Sequence, residues 1–220
     1  MPVAIFAVAL ALLAAQVDVP LAVAVRDAPD AQWNDVEVTN TGTKVAVAWA
    51  LRIEHGTQGP THQSIDIVAR LAQEGGADRL LSPDRTNTDS KVSKVEGAVT
   101  AIVPLAVVYE DNTAIGDPER IAFIFERRRT DADEWDRVLP ILERLSDDVT
   151  PQSLRFAAAE LLGAGATPPA GVRPGEGVRR GLANNLELAA KSDNPAYVLS
   201  HIIESGRRAA ANLRAHATRR

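Results

Sequence analysis

The apolar residues of this chain change period at Asp117-Pro118. Upstream they alternate with polar neighbours, as in strands covered on one face. Downstream they return every three or four positions, as along one side of a helix. A chain that switches period once, at a helix start, is constrained to a strand-rich half followed by a helix-rich half, the α+β class. Asp117-Pro118-Glu119 supplies that start: an acid to cap free amides, Pro at the first helical position, and Glu in the first turn. With 220 residues, each half is long enough to bury a core.

In the first half, the LAVAV run after Pro20 predicts a short strand, and Val36 to Asn40 alternates apolar and polar. Asn40-Thr41-Gly42-Thr43 then carries turn chemistry. Lys44 to Glu54 follows, with Val45, Val47, Trp49, Leu51 and Ile53 at every second position. Two such runs around a short turn predict a hairpin. Ser64 to Arg70 predicts a third strand. Ala98 to Glu110 predicts another, in which Pro104 demands a bulge, an edge or a junction of two strands. Asp111-Asn112 is a second turn, from which Thr113 to Ile115 pairs back before Gly116-Asp117. Ala72 to Glu96 reads as the longest irregular stretch, and binding loops are expected there and between His55 and His62.

The stretch VEVTNTGTKVAVAWALRI resembles the opening strands of immunoglobulin-like domains in exported bacterial proteins, where a turn with Asn and Thr leads into a strand carrying Trp. VVYEDNTAIGDPERI is similar to the closing hairpin of the same domains, with Asn112 where Gly is usual. The likeness covers roughly residues 34–126. It implies an antiparallel immunoglobulin-like β-sandwich in an exported setting, and no activity.

In the second half, Ile121, Ile124, Phe125, Ala132, Trp135, Leu139, Leu142 and Leu145 recur at helical spacing. The polar stretch Arg127 to Asp131 is expected to divide them between two helices, and Pro140 to kink or end the second. Thr150-Pro151 starts a helix over Gln152 to Leu162 that stops at Gly163 and Gly165. Residues 164–177 are rich in Pro and Gly and read as a loop. Helices from Val178 to Lys191 and after Asn194-Pro195 complete the region, the last with Leu199, Ile202, Ile203, Ala210 and Leu213 as its apolar stripe.

Val3 to Ala15, VAIFAVALALLAA, has the length of a secretory h-region and is too short for a span of about 20 residues. Small Ala14 and Ala15 before Gln16 suit cleavage there, although Met1-Pro2 offers no basic residue and Leu13 stands three before the cut. The organisation expected is therefore a signal peptide over 1–15, a β-sandwich over 16–117 and a helical region over 118–220. The product would be periplasmic or extracellular, with no stable membrane span once the signal is removed.

Composition narrows the functional classes. Aromatics make up 4% of the chain and the net charge is −5, which argues against a base-stacking or polyanion-binding platform, and no nucleic-acid partner is expected. The absence of cysteine removes disulfides and thiolate chemistry. The sequence contains no phosphate-cradling glycine loop, no dinucleotide fingerprint and no serine in a hydrolase or lactamase setting: Ser64, Ser82, Ser90 and Ser93 all lack one. His55, His62 and Asp66 are the candidate metal ligands, yet their spacing matches no standard zinc site, and the two histidines read as exposed loop residues. Glu110, Asp111 and Asp117 lack calcium-loop spacing and are accounted for as turn and cap residues. Arg127-Arg128-Arg129, flanked by Glu126, Asp131 and Asp133, reads as intrahelical ion pairing. No catalytic residue and no cofactor is expected. The leading expectation is a non-enzymatic protein that binds another protein of the envelope or exterior. The alternative is a hydrolase or a small-ligand-binding module whose site forms only in three dimensions.

Overall fold

The strand-forming run Lys44 to Glu54 is apolar on both of its faces, because Ala46, Ala48 and Ala50 fill the positions between the larger residues. Such a strand must be covered above and below. In the computed structural model, which describes residues 18–26, 32–56, 59–72, 80–94, 97–163 and 175–219, this run lies inside one of two antiparallel sheets. The strands are β1 (Leu21–Arg26), β2 (Trp33–Asn40), β3 (Ala46–His55), β4 (Thr61–Asp66), β5 (Thr86–Ser93), β6 (Val99–Tyr109) and β7 (Ala114–Gly116). One sheet has the order β1-β2-β5 and the other β4-β3-β6-β7. The helices are α1 (Pro118–Leu145), α2 (Pro151–Leu162), α3 (Glu176–Ala189) and α4 (Pro195–Ala215). Both the expected signal peptide and residues 164–174 of the expected loop lie outside the described residues.

The predicted hairpin around Thr41 is not formed. β2 pairs with β1 and β5, whereas β3 pairs with β4 and β6, so the turn crosses between sheets. Fully buried Asn40 shapes the crossing: its amide donates to the carbonyls of Lys44 and Leu81, both at 2.8 Å, and its Oδ1 accepts from the Gly42 amide at 3.0 Å. The stretch read as irregular contains β5, whose sequence TNTDSKVS offers Val92 as its one large apolar residue. The third strand begins at Thr61, earlier than expected, and gives way after Asp66 to a short 3-10 helix over Ala69–Ala72.

The closing hairpin forms as read. Asn112 takes a left-handed turn conformation (φ 64°) between β6 and β7. Gly116 has φ 122° and backs so closely on the Leu105 carbonyl that a side chain there would overlap it. The pairing of β3 with β6 slips by one residue beside Pro104, between Ala50 and Leu51, the bulge that a mid-strand proline requires.

Side-chain parity assigns the two faces of β3. On one face, Gln63 of β4 lies opposite Leu51 and donates to the Lys91 carbonyl of β5, at 3.3 Å. That face, with Trp49, meets the other sheet. On the opposite face, Asp66 lies opposite Ala48 and reaches Arg128 of α1. The alanines there leave room for α1, whose Ile121, Ile124 and Phe125 join the same core as the sheets.

The first helix is continuous from Pro118 to Leu145 and is not divided at Arg127–Asp131. Ion pairs satisfy that polar stretch in place: Arg129 with Glu126, Arg127 with Asp131, and Arg128 with Asp66. The helix also runs through Pro140. Asp117 caps its start, with Oδ1 accepting from the amides of Glu119 and Arg120. Its far half, through Val138, Leu139 and Leu142, joins a second core with Leu154, Leu182, Leu186 and Leu199 of the other helices. Thr150 and Ser153 form the capping box of α2, and Gly163 ends it in the left-handed conformation.

Trp135 packs against both cores, and Gly206 of α4 makes that possible. A Cβ at position 206 would stand 2.5 Å from Cζ3 of the indole. The substitution Gly206→Ala gains up to about 1 kcal/mol of helix propensity. Displacing a packed ring costs about 1–3 kcal/mol. Urea unfolding is therefore expected to show a lower midpoint for Gly206→Ala and a lower one again for Gly206→Val.

Candidate functional site

Alternation along β4 sends His62, Ser64 and Asp66 to the face that α1 covers. Across from them, Arg120, Phe123, Arg127 and Thr130 recur along one side of α1. Because β4 is the outer strand of its sheet, these two rows bound a cleft of about 390 Å³. The start of α3, at Gly175 and Gly177, closes one end. Glu134 of α1, which is buried, fixes that start by accepting from Arg179 of α3 at 3.0 Å and from Arg137 at 2.7 Å.

The cleft carries both signs of charge. Arg127 reaches Asp131 at 3.5 Å, and Glu126 is held by Arg129 at 2.5 Å. Burial pushes the Asp131 carboxyl up from its ordinary range, against the pull of Arg127. Thr130 spends its hydroxyl proton on the Glu126 carbonyl, at 3.0 Å. The guanidinium of Arg120 has no acidic partner among the described residues, although its backbone amide serves the Asp117 cap. Phe123, one turn further along, is half-exposed.

The three candidate metal ligands separate. His55 is the buried last residue of β3, and its Nε2 lies 3.0 Å from Thr61 Oγ1, on the face turned to the other sheet. His62 is exposed on the opposite face, in a strand rather than a loop. Asp66 gives both oxygens to Arg128, accepting from Nε at 2.7 Å and Nη2 at 3.2 Å. Among the described residues, no three His, Asp or Glu side chains come together as a metal site. The reading of His55 and His62 as solvent-exposed loop residues is thus corrected: one is buried and both belong to strands.

Of the acids around the closing hairpin, Asp111 accepts from Lys44 at 2.7 Å and from the Thr113 hydroxyl and amide. These bonds hold its carboxyl well below the usual range. Ser90 is buried in β5, while Ser64 faces the cleft.

Beside the cleft, Arg128 anchors the end of the chain. Its side chain is 1% exposed, and its Nη1 donates to the His216 carbonyl at 2.9 Å. Arg129 donates to the Ala217 carbonyl at 3.1 Å. Asn112 in the β6–β7 turn donates to the Ala215 carbonyl at 3.1 Å, leaving its Oδ1 to accept from His216 Nδ1 at 2.8 Å. Three successive carbonyls, from the last residue of α4 onward, are thereby satisfied by side chains from α1 and the hairpin. Sequence reading did not single out Arg120 or Phe123. It singled out the run at Arg127 to Arg129 without separating the buried member from the other two.

Comparison of the chain with family models, with curated proteins and with solved structures gives no match.

The clasp at His216 sets a pH dependence. Burial, and then the charge on Arg128, hold this imidazole below its ordinary value of 6.5, against Asp66 and Glu110. The folded chain therefore resists a proton that the unfolded chain accepts. Its contribution to stability is complete above about pH 6.5 and is lost as the pH falls below it. Urea unfolding measured from neutral pH downward should show a steeper loss for the wild type than for His216→Gln, with the two curves parallel above pH 7.

Proposed function

We propose that this chain is an exported, non-enzymatic binding protein, acting in the periplasm or outside the cell, that holds another protein through the cleft between β4 and α1. Its two sheets are read as an immunoglobulin-like sandwich. That reading draws on the resemblance over residues 34–126 and agrees with two antiparallel sheets sharing a core. Export draws on the apolar run Val3 to Ala15.

The observation that carries the binding reading is Arg120. Along α1, Arg127, Arg128, Arg129 and Arg137 each have an acid; Arg120 and Arg144 have none among the described residues, and of these two it is Arg120 that borders this cleft. It stands at a cleft whose wall includes a half-exposed phenylalanine. A charge without a partner beside an exposed aromatic ring is the composition of a recognition site, where Arg and aromatic residues supply most of the binding energy. The rival hydrolase reading needs a nucleophile joined to its base. His62 and Ser64 are two residues apart on one strand face, and no hydrogen bond joins their side chains among the described residues.

Affinity purification from the native host after crosslinking, with mass spectrometry, tests the binding claim. A stoichiometric partner is expected with the wild type and with Phe156→Ala, which alters an exposed ring on α2 outside the cleft. Arg120→Glu should lose that partner. Glutamate suits the first turn of a helix, so the fold should tolerate it. Recovery of no stoichiometric partner by the wild type, or its full retention by Arg120→Glu, overturns the reading. Export is tested separately by sequencing the N-terminus of the mature protein: a start near Gln16 is expected, and an intact Met1 on a cytoplasmic product refutes it.

A further inference from the structure

We infer that the group recognised in this cleft is a single carboxylate two residues away from an apolar side chain on an extended segment of the partner, with the carboxylate on Arg120 and the apolar group on Phe123. The inference rests on the partner-binding reading and adds the chemistry of the contact. Its first ground is charge. Of the two arginines that line the cleft, Arg127 is matched by Asp131, while the second acid, Glu126, is held by Arg129 from outside the lining, so Arg120 is left without a paired acid among the described residues. One carboxylate would supply that missing partner. A dianion such as phosphate would bring an excess charge toward two carboxylates, one of them, Asp131, already disfavoured as an anion by burial.

The second ground is spacing. Arg120 and Phe123 are three residues apart on α1, hence neighbours about 5–6 Å apart on its surface. On an extended segment, side chains two residues apart share a face at about 6.5 Å, so one segment can meet both at once. The guanidinium fork accepts a planar carboxylate through two parallel hydrogen bonds, which favours a carboxylate over a neutral amide of the same shape. The half-exposed ring offers apolar area that a neighbouring aliphatic side chain would cover.

The third ground is what lies around that pair. Ser64 of β4 faces the cleft, and Gly177 in the first turn of α3 lies beside Arg127, whose Nη2 would be 3.9 Å from a Cβ there. The first-turn amides of α3 have no side-chain cap. Hydroxyl and amide donors on two sides of a narrow cleft suit the carbonyl groups of an extended peptide. A free carboxylic acid of similar size would leave them unused.

Titration of the full chain with two blocked peptides, acetyl-Gly-Asp-Gly-Leu-Gly-amide and acetyl-Gly-Asn-Gly-Leu-Gly-amide, followed by amide and guanidinium resonances in nuclear magnetic resonance spectra, tests this chemistry. Inorganic phosphate serves as the third probe. The aspartyl peptide should shift the Arg120 Nε–H and Gly177 amide signals saturably and bind at least about tenfold more tightly than the other two probes, a difference of about 1.4 kcal/mol. Arg120→Gln should erase the preference between the peptides, and Phe123→Ala should weaken both by a similar factor. Equal affinity for the two peptides, phosphate binding as tightly as the aspartyl peptide, or no saturable shift overturns the inference. If the aspartyl preference is missing while Arg120→Glu still loses the cellular partner, the carboxylate chemistry fails and the partner reading stands. If the preference is present while that partner is retained, the site stands and the partner reading fails.

Discussion

The contact on which the arrangement of sheets and helices depends is the buried pair of Arg128 and Asp66. It joins the end of the outer strand β4 to the middle of α1, and through the His216 carbonyl it also holds the chain beyond α4. A guanidinium with 1% of its side chain exposed is costly to bury, and it is tolerated because its donors are satisfied and its charge is matched. Removing one partner of such a pair typically costs about 3–5 kcal/mol, chiefly through the charge left behind. Replacing both with apolar residues of similar volume can cost far less. What the pair supplies beyond energy is registration. An apolar contact between α1 and the alanine-lined face of β3 could slide, whereas two hydrogen bonds from one fork to one carboxylate fix both rotation and height.

That registration determines which side of α1 meets which neighbour. Arg120 and Arg127 are seven residues apart and so lie on nearly the same side of the helix, while Arg128 is rotated by about 100° from Arg127. With Arg128 turned into the core, Arg120 and Arg127 necessarily border the rim of β4, where the cleft is found. The far half of the same helix enters the second core, and Trp135 lies where the two cores adjoin. The close fit of Gly206 against the indole brings α4 to that junction. One long helix thus transmits the position of the sheet to the bundle, with no need for a rigid linker.

Much of this is legible in the sequence, and the illegible parts have specific physical reasons. The closing hairpin, the caps at Asp117, Thr150 and Asn194, and the bulge at Pro104 are each fixed by residues within a few positions of one another. Whether β2 pairs with β3 is a different kind of question. The Asn40–Thr43 turn serves a hairpin and a crossing equally well, and the deciding feature is the alanines that make β3 apolar on both faces. β5 escapes notice because an outer strand dominated by Thr, Asn, Ser and Lys lacks the alternation that marks half-buried strands. The continuity of α1 escapes notice because Asp66, the partner that makes Arg128 compatible with burial, lies 62 residues upstream.

The same limit explains why the candidate site was only partly legible. His62 and Asp66 were singled out because imidazole and carboxylate are conspicuous, and they do share a strand face. Yet Asp66 is committed to Arg128, and the sheet lies between His55 and His62. Arg120 is marked out by a lack: among the described residues it is the arginine of the cleft for which no acid is supplied. A sequence displays every charge but not which charges cancel. Pairing is settled by the fold, and only after the pairs are removed does an unpaired cation such as Arg120 stand out among the described residues.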